Sequence, residues 1–118
     1  AAEAIPAAFA YSTYVAWLAL FGSAAEFAAA FLVNLEAWGS NCARMSRALK
    51  ARYRLREEDV RFFDLFSAPP ADFRSRGLGV IQQGLDRGVE TERIARAARM
   101  LQGYELLYWD TLHQAVSP

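Results

Sequence analysis

Apolar residues dominate the chain from Tyr14 to Trp38, and the run is broken once, at Gly22-Ser23. An unbroken run of that length would read as a membrane span. Here Ser23 and Glu26 form an S-x-x-E capping box, in which a hydroxyl and a carboxylate each satisfy a backbone N–H at a new helix start. Glu26, Asn34 and Glu36 also fall inside the run, and polar or charged groups are expensive in lipid. The pattern predicts two helices joined by a tight turn and no membrane segment. No basic residue precedes Arg44, so no signal peptide is read.

Periodicity extends the same reading along the chain. A first helix is expected over Ala7–Leu20 after Pro6, with Tyr11, Tyr14, Val15 and Leu18 on its apolar face. The second runs from the Ser23 cap to about Lys50, with a stripe of Phe27, Phe31, Leu35, Trp38, Cys42, Met45 and Leu49. Ala28, Ala29 and Ala30 let neighbouring helices approach it closely. A third helix is expected over Glu57–Phe66, before the Pro69-Pro70 break. A fourth is expected over Ala71–Arg87, stopped by Gly88 at C′, and a fifth over Glu90–Ala115. No strand, repeat or composition shift is visible, so residues 1–118 read as a single all-α domain.

Composition removes several function classes. Of 118 residues, 54% are hydrophobic and 22% charged, too apolar for a disordered tail. Thirteen basic and thirteen acidic side chains balance, without the excess of positive charge expected of a nucleic-acid-binding surface. A single cysteine precludes an internal disulfide, and a single histidine argues against a histidine-rich metal site. The expected location is the cytoplasm.

Few residues can carry chemistry. Ile94, Ala98, Leu101, Glu105, Tyr108 and Leu112 follow one another at three- or four-residue steps, which sets Glu105 into an apolar stripe. Burial disfavours a carboxylate's charged form, so such a group is a candidate general acid or base, the alternative being a solvated or salt-bridged stripe edge. Asn34 and Glu36 lie mid-way along the second helix and point about 200° apart. Cys42, with no cationic neighbour in view, reads as a small buried hydrophobe. Asp110 and His113 have a metal-compatible i, i+3 spacing but no third ligand, and His113 suits a helix C-terminus. The many aromatics serve the core, and a subset is suited to walling a pocket for a flat heteroaromatic ligand.

Three stretches together resemble the TenA/thiaminase II family: Ala10-Tyr11-Ser12-Thr13-Tyr14 leading to Gly22, Glu26 and Ala29-Ala30; Phe62-Phe63-Asp64-Leu65-Phe66 followed by Asp72-Phe73; and Tyr104-Glu105-Leu106-Leu107-Tyr108-Trp109-Asp110, similar to a closing Y-E-x-x-F-W-D signature. The resemblance implies the heme-oxygenase-like helical bundle, of which about half, some five helices, would be present. It also implies hydrolysis of thiamin or its degraded aminopyrimidine, without a cofactor or metal. Glu105 falls on the family's proton-moving glutamate. Tyr11 and Tyr108 fall on aromatic walls of its pocket, and Phe66 on an active-site tyrosine whose hydroxyl it lacks. Asn34 falls on the nucleophilic cysteine, and an amide is no comparable nucleophile.

The functional expectation is a divergent member that binds or hydrolyses a small nitrogen heterocycle, with Glu105 catalytic and Tyr11, Asn34, Phe66 and Tyr108 contacting the ligand. The alternative is a non-catalytic binding protein or structural all-α subunit. Some members have been labelled transcriptional regulators, yet no DNA-reading element is visible here. Because the second helix is apolar almost all round and few helices are present to cover it, a homo-oligomer with helix one or two in its interface is also expected, the alternative being that further chain covers the same faces.

Overall fold

A computed structural model describes residues 2–117, and among them the chain is an all-helical bundle with no strand. Five α-helices follow in order: α1 Pro6–Phe21, α2 Ala24–Tyr53, α3 Arg61–Ser67, α4 Phe73–Asp86 and α5 Thr91–Val116. The expected third helix divides in two. Glu57–Val60 forms a 3-10 turn and only Arg61–Ser67 is α-helical, because Arg56 binds Asp59 through both backbone and guanidinium and tightens that first turn.

The capping box forms as read. The Ser23 N–H donates to Glu26 Oε2 at 2.8 Å, and the Glu26 N–H donates to Ser23 Oγ at 3.2 Å. Arg93 of α5 adds a guanidinium N–H to the same Glu26 oxygen at 3.1 Å, so the start of α2 is tied to the start of α5. α4 stops as expected at Gly88, whose φ of +90° suits a residue without Cβ. The Val89 and Gly88 N–H groups then satisfy the Gly84 and Leu85 carbonyls, the two bonds of a Schellman motif.

α2 is the spine. α5 lies along it, while α3 and α4 pack on other parts of its length. α1 packs chiefly on α5 rather than on α2, its neighbour in sequence. Leu18, Ala30, Ala97 and Leu101 form the main core, and Ala25, Ala29 and Ile94 a second one beside Ile81 and Val89.

The expected bulky stripe of α2 is not what the bundle buries. Of its seven residues only Cys42 is buried; Phe27, Phe31, Leu35, Trp38, Met45 and Leu49 are half-buried. The closed seam lies a step round the helix and carries small or polar residues: Ala30, Asn34, Cys42 and Ser46. Small side chains let α5 approach closely, and the large ones line the grooves beside that contact. Ser46 donates to Asp64 Oδ1 at 2.7 Å, which anchors α3 to α2.

The packing leaves much apolar surface open. Total accessible surface is 8393 Å², against about 6,400 Å² for a compact monomer of this mass. Leu20 is 76% exposed and Val33 52%. No helix of the described residues is long and apolar enough to cross a membrane.

Candidate functional site

Asn34 and Glu105 meet where α2 and α5 cross the closed seam. Asn34 sits four residues beyond Ala30, and Glu105 four beyond Leu101, so each polar group continues a core face. Both are buried, at 4% and 2% exposure. Burial on this scale demands hydrogen-bond partners, and they are supplied from three helices.

The Tyr11 hydroxyl of α1 donates to Asn34 Oδ1 at 2.5 Å. Asn34 Nδ2 donates to Glu105 Oε2, with Gln102 Oε1 a longer second acceptor at 3.4 Å. The other carboxylate oxygen, Oε1, accepts from Trp109 Nε1 at 3.1 Å and from Asn41 Nδ2 at 3.3 Å. Every partner of Glu105 is an N–H donor, so the carboxyl serves as acceptor in each bond. No buried side-chain N or O lacks a partner among the described residues.

Aromatic rings enclose this polar cluster. Tyr11, Trp38 and Tyr108 form a triangle with ring centroids 5.7, 5.7 and 6.1 Å apart. Trp109 packs on Trp38 at 5.6 Å. Phe66 reaches the group through Trp38 alone, edge to face at 6.1 Å. Its position depends on Gly39, where a Cβ would lie 2.6 Å from the Phe66 carbonyl oxygen. Asn41 and Trp109 also line a groove of about 550 Å³ beside Arg44, Asp110 and His113. That groove brings external space up to the two residues holding Glu105 Oε1.

The surroundings shift two further groups. Burial, and then the negative charge of Glu105, push the Tyr11 phenol above its ordinary value of 10. Burial, and then Glu105, likewise push the Cys42 thiol up. Cys42 is 1% exposed and carries no feature of an activated nucleophile.

Among the sequence-selected residues, the structure brings Tyr11, Asn34, Glu105 and Tyr108 together, and leaves Phe66 one ring away. Tyr11 does not touch Glu105 directly, since the Asn34 amide lies between them. Glu36 is exposed on the far side of α2. Asp110 and His113 are exposed, and no group of three or more His, Cys, Asp or Glu side chains suited to a metal occurs among the described residues. Trp38, Asn41, Gln102 and Trp109 were missed as site residues. Their signal was spacing: Trp38 and Asn41 lie four and seven residues after Asn34, and Trp109 lies four after Glu105. No family model, curated protein or solved structure matches the chain.

Proposed function

We propose that the protein recognises a small nitrogen heterocycle, of the thiamin-related aminopyrimidine class, beside Glu105. The observation that carries this reading is a buried carboxylate held only by N–H donors and ringed by aromatic side chains. An exocyclic amino group on a flat ring is one more N–H donor, and it can replace the weakest present, the Asn41 amide at 3.3 Å. The ring itself then stacks on aromatic walls, with Trp109 nearest to the open groove. Tyr11 and Asn34 hold Glu105 in register for that contact, Tyr108 covers it, and Phe66 supports Trp38.

The TenA/thiaminase II resemblance supports the same substrate class and a heme-oxygenase-like version of the bundle. Binding is favoured over hydrolysis by the state of Asn34. Its amide is engaged at both ends, and burial, then Glu105, hold the nearby Cys42 in its thiol form. In the hydrolytic reading, Glu105 takes a proton from water as the water oxygen bonds the carbon bearing the amine, and returns it to the amine as the C–N bond breaks and ammonia leaves. The reading includes a cytoplasmic homo-oligomer, supported by exposed large apolar side chains on α1 and α2 such as Leu20, Phe21 and Val33.

A thermal-shift panel of aminopyrimidines and thiamin tests the proposal, because a bound ligand stabilises the native state by mass action. Aminopyrimidines should raise Tm, analogues lacking the amino group should not, and Glu105→Gln should weaken the effect. An unchanged Tm across the panel overturns it. Ammonia release from an aminomethyl-pyrimidine separates the readings: none is expected from the wild type, and an increase in Asn34→Cys would support the family relationship.

A further inference from the structure

A second groove, between α1 and α5, shares no residue with the Asn34–Glu105 cluster. Its volume is about 540 Å³, within the range of small-molecule sites. Tyr14 and Trp17 stack on one wall with planes 9° apart and centroids 5.8 Å apart. Tyr104 of α5 closes on Tyr14 at 5.1 Å, and Phe9, 60% exposed, forms the rim. Large aromatics left half in water along a cleft are suited to a flat apolar partner.

The charged lining gives the groove a sign. Arg93, Arg96 and Glu26 all reach it. Glu26 is spent on Arg93 and on the Ser23 N–H. Arg96 lies three residues from Arg93, one turn along α5, and takes part in no salt bridge among the described residues. Two guanidiniums therefore face one carboxylate, leaving a single positive charge at the edge of an aromatic slot. A guanidinium presents paired N–H donors that match a carboxylate fork.

From this combination we infer that the α1–α5 groove is a second binding site, for a flat aromatic monoanion of the aryl-carboxylate class. The aromatic body lies against Tyr14, Trp17 and Tyr104, and the anionic head meets Arg96, with Arg93 fixed beside it by Glu26.

Calorimetric titration of the full chain with indole-3-acetate, indole-3-acetamide and tryptamine tests this. The acid should bind with one site per chain, about ten-fold tighter than the neutral amide, the margin expected of a charge-assisted hydrogen bond. Tryptamine should bind more weakly than the amide. Arg96→Gln should remove the acid's advantage and keep the amide's affinity, which also reports that the groove remains folded. Trp17→Ala should weaken acid and amide alike. Equal affinity for all three probes, or an acid preference that survives Arg96→Gln, overturns the inference. So does displacement of indole-3-acetate by an aminopyrimidine, or a self-associated state in which Trp17 is buried and no probe binds. Because the aminopyrimidine panel reads Glu105 and this titration reads Arg96, failure of one is distinguishable from failure of the other.

Discussion

The Asn34 amide stands between the Tyr11 hydroxyl and the Glu105 carboxylate, accepting from the first and donating to the second. An amide does both at once from two separate atoms, Oδ1 and Nδ2. Asn34→Leu should cost roughly 2–3 kcal/mol, since it strands a buried phenol and part of a buried carboxylate. Asn34→Asp should be worse, because it sets a second acid against Glu105 with no donor between them. Urea unfolding at neutral pH measures both, and a smaller loss for Asp than for Leu would contradict the network.

Tyr11 contributes to the alkaline limb of stability, beside Tyr14 and Cys42, which are also held up. Burial and the Glu105 charge hold its folded phenol above the ordinary value of 10. The unfolded tyrosine therefore releases its proton first as pH rises. Its contribution is complete below pH 10 and declines above it. Tyr11→Phe should flatten the fall in stability between about pH 10 and 11, at a cost of about 1 kcal/mol near neutrality. Denaturant midpoints across that range decide it.

Glu26 works at the other end of the scale. Burial raises its carboxyl, but the Ser23 N–H and hydroxyl, and then Arg93, outweigh that, so the net value lies below the ordinary 4.5. An unfolded glutamate takes up its proton first on acidification. The stabilisation is full above pH 4.5 and is lost as pH falls through the lower folded value. Glu26→Gln should remove this part of the acid limb. Glu26→Ala should also lose the cap, for about 1–2 kcal/mol at neutral pH; Arg93 is half exposed, which limits what the ion pair adds.

Cys42 should be silent in the native state. It is 1% exposed and its thiol is held up by burial. Labelling by an aromatic disulfide reagent should proceed only at the rate of global opening and become immediate in denaturant. Fast modification of the folded chain would show that α2 and α5 part more readily than their packing indicates.

Assembly should follow from the open apolar surface. Sedimentation at micromolar concentration should give a species heavier than 13.2 kDa that dissociates only on unfolding. Leu20→Glu or Val33→Glu, each on an exposed apolar position of α1 or α2, should weaken it. A folded monomer that binds no apolar dye would end the expectation.

Much of this architecture was legible from local signals. The Ser23–Glu26 box, the Gly88 stop and the Tyr11–Leu18 face each depend on residues within two turns of one another, and each appears as read. The seam of α2 was not legible. Periodicity weights large apolar side chains, whereas the contact with α5 selects small ones, so Phe27 and Phe31 pack on the core from a groove edge and Trp38 joins the aromatic cluster. Glu105 could be picked out because a carboxylate in an apolar stripe is conspicuous, and Asn34 because it lies mid-helix in an otherwise apolar run and at the position of the resembled family's cysteine. Asn41 shares a helix face with Asn34 by spacing, but an amide in a polar-looking stretch, as at Asn41 and Gln102, does not say what stands opposite it.

α1 leans on α5 more than on α2, and the Asn34–Glu105 bond spans 71 residues of sequence. The α1–α2 hairpin therefore lacks its main partner for the Leu18–Ala30 face until α5 has left the ribosome, although α3 and α4 can already pack on α2. Until then Leu18 and Ala30 are exposed to water and to other chains, together with the aromatic residues around them. Slow translation between α2 and α5 should therefore prolong the interval in which this apolar face is open to non-native contacts.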